Sequence, residues 1–258
     1  ISRKTLSSGF PLITLNSYDF NSLAATLEAN EGARKRWIGD ISHELRTPLS
    51  IVRGELEAMI DGVRPLSQSG VLSAHQEALH LQRLVEDLYE LTNADIGALN
   101  YRKEMLNICE LVSLSGEQFE SLPKIKGLKL QLKDAASEHD SICIYADKNR
   151  IRQLLHNLLQ NSIKYTDTPG EICLSLSVEH GFAVIVLEDS APGVSVAEVD
   201  LLFDYLYRTD QSRSRSSGGV GLGLAICKRI VEGHDGFIAA SNSDLGGLKM
   251  TIRLPLRK

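Results

Sequence analysis

His156-Asn157-Leu158-Leu159-Gln160-Asn161-Ser162-Ile163-Lys164-Tyr165-Thr166 is the stretch on which the reading of this chain turns. Asn157, Asn161 and Lys164 recur at spacings of four and three, which puts them on one face of a helix. Amide oxygens combined with phosphate oxygens suit Mg²⁺, and a lysine suits a phosphate. A solvated helix face with asparagines near its caps accounts for the same residues equally well. The choice depends on what lies before and after.

Downstream, Asp189-Ser190-Ala191-Pro192-Gly193 follows the apolar run Ala183–Leu187. A carboxylate at a strand end can accept from a ligand amine, although these residue types also make an ordinary turn. Further on comes Gly218-Gly219-Val220-Gly221-Leu222-Gly223-Leu224-Ala225, opening a helical pattern. Glycines let backbone amides approach a phosphate, and the helix behind offers its positive end. No Gly-Lys-Ser/Thr closes this loop and no strand precedes it, so it is neither a P-loop nor a dinucleotide fingerprint. Arg208, Arg213 and Arg215 stand before it in a Ser-rich stretch that also reads as a plain loop.

Upstream, Ile38, Ile41, Leu45, Leu49, Val52, Leu56, Met59 and Val63 step by three or four residues, with charged residues filling the other face. This predicts a long amphipathic helix, bent at Pro48 where a backbone donor is missing. Gly62, Pro65, Ser67, Ser69 and Gly70 mark a loop, and Leu72, Leu79, Leu81, Leu84, Leu88 and Leu91 make a second apolar stripe. A helical hairpin alone leaves half its stripe bare, so a four-helix bundle in a dimer is the expected completion. His43 flanks the stripe beside Glu44: either a surface histidine or an exposed nucleophile with a neighbouring base.

From about residue 101 the pattern changes. Short β-like runs (129–132, 142–145, 172–178, 183–188, 237–240, 249–254) mix with helical stretches at 108–120, 148–165, 196–203 and 222–233. Without strict βαβ alternation, this predicts a layered α+β domain. Residues 18–30 predict a lead-in helix, and 1–18 carry no assignable pattern. The domains expected are a lead-in over 1–31, a helical hairpin over 32–98 and an α/β layer domain over 101–258.

Composition narrows the classes further. The chain has 258 residues, 43% apolar and 24% charged, as ordinary globular proteins do. A net charge of -5 and 5% aromatics argue against a nucleic-acid partner. Cys109, Cys143, Cys173 and Cys227 show no zinc-ligand spacing. The apolar runs are far shorter than the ~20 residues that span a bilayer. The chain opens at Ile1 with no signal peptide, so an anchor in a longer protein stays open.

In this order the motifs resemble the boxes of bacterial sensor histidine kinases. Ile41–Leu49 is similar to the phospho-acceptor H-box and His156–Thr166 to the N-box. Asp189–Gly193 is similar to the G1-box, Phe203–Arg208 to the F-box and Gly219–Leu224 to the G2-box. Residues 19–31 resemble the end of a HAMP relay helix. Within the family, Gly54–Ala58, Asp61–Arg64 and Asp189–Ser195 are most like an envelope-stress sensor.

The resemblance implies an α/β-sandwich ATP-binding domain of the histidine kinase, gyrase and chaperone type. It implies ATP-dependent phosphorylation of His43 with Glu44 as proton acceptor, and transfer to a response regulator. Thr47, one turn on, would assist water in a phosphatase reaction. Asn157 and Asn161 would hold Mg²⁺, Lys164 a phosphate, and Tyr165 would lie against the nucleotide. Asp189 and Gly193 would meet adenine. Gly219, Gly221, Gly223 and Leu224, with Arg208 and Arg215 as lid cations, would meet the phosphates. The implied setting is a homodimer on the cytoplasmic face of the inner membrane, with transmembrane segments upstream and no membrane contact by this stretch. The alternative is an ATP-binding conformational switch without phosphotransfer. Two departures stand out: Ser195 replaces the second G1 glycine, and Gly246-Gly247-Leu248-Lys249 lacks the usual threonine.

Overall fold

The computed structural model describes residues 39, 41–95, 101–119, 127–134, 142–209 and 221–257. By internal contacts the chain divides into Ile1–Arg46 and Thr47–Lys258. In the first unit, 41–46 are helical; the expected lead-in helix lies outside the described residues. Helical geometry continues to residue 60 (α1, 41–60), with no break at the buried Pro48.

Gly62, at φ 69, terminates this helix in the left-handed conformation that glycine adopts without strain. α2 (Gln68–Asp95) returns beside it, and Ser73 Oγ donates to Glu55 Oε1 at 2.9 Å across the hairpin. The expected stripes form but are only partly covered: Leu49, Leu56 and Leu72 are 56%, 43% and 50% exposed. Only toward its end does α2 become fully buried, at Leu91, which joins the core of the following domain.

That domain begins with β1 (Glu104–Asn107) and α3 (Ile108–Phe119). β2 (Leu128–Asp134), β3 (Cys143–Ala146) and α4 (Lys148–Tyr165) follow, then β4 (Gly170–Glu179) and β5 (Phe182–Ser190). α5 (Val196–Val199), a 3₁₀ turn (Asp200–Phe203), α6 (Gly223–Gly233), β6 (Phe237–Asn242) and β7 (Gly246–Pro255) complete it. All six expected strands are present, and β1 joins them as an addition. Its four residues bury only Leu106, too short a run for alternation to register. The single helix expected over 196–203 is a correction: it splits into α5 and a 3₁₀ turn. Neither piece buries a residue, so no apolar face sustains a longer α-helix.

The main sheet has the order β2-β4-β5-β7-β6, with β2 and β4 parallel and the other pairs antiparallel. β1 pairs with β3 in a separate ribbon. Alternation along β5 and β7 turns Ile185, Leu187, Met250 and Ile252 into the core beside Leu154 and Leu158 of α4 and Ile226 and Ile230 of α6. The opposite face carries ion pairs, among them Lys249–Glu188 at 3.5 Å and Arg253–Glu179 at 3.8 Å.

The helix carrying the asparagines is anchored at its start. Asp147 caps α4, its Oδ1 accepting from the Asn149 and Arg150 amides at 3.0 and 3.2 Å and its Oδ2 from the Arg102 amide at 2.8 Å. The Asp147 amide donates to Nε2 of buried His234 at 2.9 Å. That nitrogen is therefore bare, and Nδ1–H donates to the Ile230 carbonyl at 2.7 Å. Burial, reinforced by the Lys103 ammonium, holds the imidazole pKa below its ordinary value of 6.5 against the Ile230 hydrogen bond and the pull of Asp147 and Asp235.

A proton on Nε2 would set a donor against the Asp147 N–H. The folded state takes that proton less readily than the unfolded chain, so stability is full above the ordinary imidazole pKa and falls as pH drops below it. Urea midpoints at about pH 8 and about pH 5.5 should show this loss, with a smaller drop in His234→Gln, whose amide oxygen can still accept from Asp147. An equal drop in both proteins would count against it.

Candidate functional site

α4 divides its faces. Leu154, Leu155, Leu158 and Leu159 enter the core, whereas Asn157, Asn161 and Lys164 are half-buried off that face, and Tyr165 is half-buried at the end of the helix. The Lys164 ammonium lies 5.3 Å from the Tyr165 ring centroid. The expectation that the asparagines and lysine share a face is met by the helix itself.

The end of α4 meets the turn after β5. Thr166 closes the helix, its amide and hydroxyl donating to the Ser162 carbonyl at 3.0 and 2.6 Å. The Asp167 amide donates to the Ala191 carbonyl at 2.9 Å, and the Glu171 amide to Ser190 Oγ at 2.9 Å. These bonds fasten the Asp189–Gly193 turn to the helix end.

Asp189 is 6% exposed. Its Oδ2 accepts from Ser162 Oγ at 2.6 Å and its Oδ1 from the Leu248 amide at 2.7 Å. The second bond depends on an irregularity in the β5–β7 ladder: Glu188 pairs with Lys249 and Ser190 with Gly246, so Asp189 alone faces both Gly247 and Leu248. Burial pushes the Asp189 carboxyl pKa up, while the Ser162 and Leu248 bonds pull it down.

Glycine is required beside it. A Cβ on Gly247 would lie 2.4 Å from the Asp189 carbonyl, the Asp189 carboxylate and the Ser190 carbonyl. At Gly193 a Cβ would come within 3.2 Å of the Gly246 carbonyl. Ser162, Leu248 and Gly247 are neighbours of Asp189 to which motif reading gave no role, noting the last two only within a glycine motif that lacks its threonine. A polar residue at a core position of α4 and a glycine pair opposite the aspartate are the signals that could have found them.

The glycine-rich segment is partly described. Gly219, Arg213 and Arg215 lie outside the described residues. Arg208 is half-buried just before that gap, and Leu224 packs against the core. Gly221 has φ 82, and a Cβ there would meet the Tyr207 carbonyl at 2.8 Å. Its own carbonyl accepts from the Leu206 amide at 3.1 Å, so this glycine serves a backbone crossing. Gly223 opens α6, where the helix N-terminus directs its free backbone amides outward, and among the described residues no atom lies within 4 Å of a Cβ position there.

Ser195 has an evident use. Its amide and hydroxyl both donate to Glu198 Oε2, at 3.1 and 2.7 Å, opening α5. The Tyr207 hydroxyl donates to Glu198 Oε1 at 3.3 Å, tying α5 to the Phe203–Arg208 stretch. On α1, His43 and Thr47 are exposed and Glu44 is half-buried.

A buried acceptor walled by glycine backbone, an amide-bearing helix face and a helix N-terminus that begins at glycine together suit a nucleotide. Sequence comparison agrees. Residues 33–97 match the His Kinase A (phospho-acceptor) domain and residues 146–258 the histidine kinase-, DNA gyrase B- and HSP90-like ATPase domain. The chain belongs to the sensor histidine kinases. In particular, it is 46% identical to the signal transduction histidine-protein kinase BaeS of Escherichia coli (strain K12), over 93% of this chain and 50% of that protein. It thus spans about half the length of the curated relatives it matches.

The solved structure of Acinetobacter baumannii histidine kinase AdeS is 28% identical with a TM-score of 0.69, covering 84% of this chain and 98% of that one. Histidine kinase ThkA, solved in complex with the response regulator protein TrrA, shares the fold at 21% identity and a TM-score of 0.67, covering 90% of this chain and 66% of that one.

Gly247→Ala should disturb the acceptor seat. Overpacking of this kind costs about 1–3 kcal/mol, so the melting temperature should fall and ADP affinity should drop at least about tenfold. Thermal denaturation and calorimetric titration read the two effects. Wild-type ADP binding in the variant would show that the glycine is not needed.

Proposed function

We propose that this chain is the cytoplasmic kinase portion of a membrane-anchored receptor. In this reading it phosphorylates itself on His43 and passes the phosphoryl group to an aspartate of a response regulator. The observation that carries the reading is the presence, on one chain, of an exposed histidine beside a half-buried glutamate on a phospho-acceptor helix and a seat built around Asp189 that suits a nucleotide.

Asp189 accepts from the adenine amine, with Gly193 and Gly247 keeping the backbone close. Asn157 and Asn161 present amide oxygens toward Mg²⁺, and Lys164 presents a cation to a phosphate. Among the described residues no group of three or more His, Cys, Asp or Glu could hold a metal by itself. Two neutral amides therefore suit an ion whose remaining oxygens come from the nucleotide and water. Bound there, Mg²⁺ neutralises phosphate charge. Gly221, Gly223, Leu224 and Arg208 border the phosphates at the start of α6, and Tyr165 flanks the nucleotide; Arg215 and Gly219 keep the phosphate roles that the resemblance implies, outside the described residues.

A ring nitrogen of His43 attacks the γ-phosphorus. The bond to the β–γ bridging oxygen breaks, ADP leaves, and the ring proton passes to Glu44. Thr47 lies one turn along the helix, where its hydroxyl orients water for hydrolysis of the phosphorylated regulator.

The exposed stripes of α1 and α2 favour a homodimer closed as a four-helix bundle. The complex of ThkA with TrrA supports the regulator as partner. No described helix is long and apolar enough to cross a membrane. The receptor setting rests on relatives about twice this length and on the HAMP-like residues 19–31.

Incubation with γ-labelled ATP and Mg²⁺ should yield an acid-labile, base-stable label that His43→Gln abolishes. ATP hydrolysis without label would favour a conformational switch and overturn the kinase reading. Thr47→Ala should leave this labelling within about twofold of wild type but lengthen the lifetime of the phosphorylated regulator about tenfold or more. An unchanged lifetime would remove the phosphatase role from Thr47.

A further inference from the structure

Ser162 sits on α4 between Asn161 and Ile163, is 4% exposed, and has no part in the chemistry above. Most positions on that side of the helix are leucine or isoleucine, so a hydroxyl there needs a partner. Its partner is Asp189. The Oγ–H donates to Oδ2 at 2.6 Å, the short distance of a charge-assisted bond.

The Ser162 carbonyl is itself held by both the amide and the hydroxyl of Thr166, which fixes the last turn of the helix and the direction of the side chain. On the far side the Leu248 amide occupies Oδ1. An ionised carboxylate offers about four lone-pair sites. Two are taken from inside, which leaves the outward pair for a ligand.

We infer that Ser162 is a positioning residue for nucleotide recognition: its hydroxyl holds the Asp189 carboxylate turned so that its outward lone pairs face the adenine amine. This rests on the reading of Asp189 as the adenine acceptor. The exocyclic amine presents only N–H toward that site, so a protonated Asp189 would offer a donor where an acceptor is needed. Burial drives the acid toward protonation, and the Ser162 bond is the largest contribution against it. The same bond joins the helix that bears Asn157 and Asn161 to the strand that bears the base acceptor. The phosphate end and the base end of the site thus share one rigid connection.

The hypothesis has a signature that packing does not imitate. Removing the hydroxyl removes an interaction that favours the ionised form, so Asp189 should take up its proton at higher pH. ADP binding to the full chain, measured by calorimetry between about pH 5 and about pH 8, should weaken about tenfold in Ser162→Ala at neutral pH. Its acidic fall-off should also begin at higher pH than in wild type. Ser162→Cys, close in size but a weaker donor, should fall between the two and covers the case in which the alanine variant folds poorly.

If affinity in Ser162→Ala drops by the same factor at every pH, or does not change, the proposal is overturned. Asp189→Asn separates this from the parent reading. Lost ADP binding in Asp189→Asn, with superimposable pH profiles for Ser162→Ala and wild type, removes the role of Ser162 alone. Wild-type binding by Asp189→Asn removes the adenine reading and the proposal with it.

Discussion

A carboxylate buried between a helix and a sheet sets the terms for everything around it. Desolvating such an ion costs on the order of several kcal/mol even after relaxation, so Asp189 has to be met by donors from within. They come from two directions. Ser162 reaches it from α4, and the Leu248 amide reaches it from β7 through the irregular pairing opposite Asp189. Neither donor works without the other element in register, and Gly247 admits the close approach that the irregularity demands. Helix, strand and edge ladder are therefore adjusted around one negative charge. A structural role alone gives no reason to keep such a group. An aspartate whose inward lone pairs are occupied and whose seat is walled by glycine backbone is arranged for a donor arriving from outside.

α4 is the element through which this constraint spreads. At its start, Asp147 caps the helix while its own amide rests on His234 and its carboxylate takes the Arg102 amide. At its end, Thr166 and Ser162 lock the last turn onto the Asp189 turn. Between these fixed ends the apolar face is wholly buried, which leaves Asn157, Asn161 and Lys164 on a surface with little freedom to shift. Preorganisation of this kind is what phosphoryl transfer asks of a protein, since the chemistry depends on alignment and charge neutralisation more than on new covalent roles. Each end is also held by a titratable group that burial pushes toward its neutral form: the imidazole of His234, whose pKa lies below its ordinary value, and the acid of Asp189, whose pKa burial raises against the opposing Ser162 and Leu248 hydrogen bonds.

Much of this was legible in the residues because it is carried locally. Spacings of four and three on one helix, an aspartate-to-glycine turn after an apolar run, and a glycine-rich entry to a helix are properties of short segments. Their order along the chain was enough to identify the class. What escaped was tertiary. β1 holds four residues and buries one, so it left no periodic trace. Gly221, expected at the phosphates, is required by a backbone crossing with Leu206 as well. Ser195, expected as a lost glycine, starts a helical turn and binds Glu198. Ser162 looked like one more small residue inside a motif, because its meaning depends on an aspartate 27 positions away. The stretches 1–38, 96–100 and 210–220, which include Arg213, Arg215 and Gly219, lie outside the described residues.

The two reacting parts obey opposite physical demands, and the chain meets them with different architecture. An imidazole that is to take a phosphoryl group has to be reachable, so it belongs on an exposed helix face, where His43 is found. A base acceptor has to be selective, so it belongs in a dry seat whose hydrogen bonds are already committed. An α/β layer can supply that dryness because its helices cover one side of the sheet. A two-helix hairpin cannot, and its remaining apolar stripe at Leu49, Leu56 and Leu72 shows how much surface it leaves unburied. Exposed apolar surface of this kind calls for a partner. An identical hairpin satisfies the call with the same stripe on both sides, because a twofold interface needs only self-complementarity. The exposure that makes His43 chemically useful and the exposure that makes the hairpin incomplete thus have one origin: two helices are too few to enclose a core.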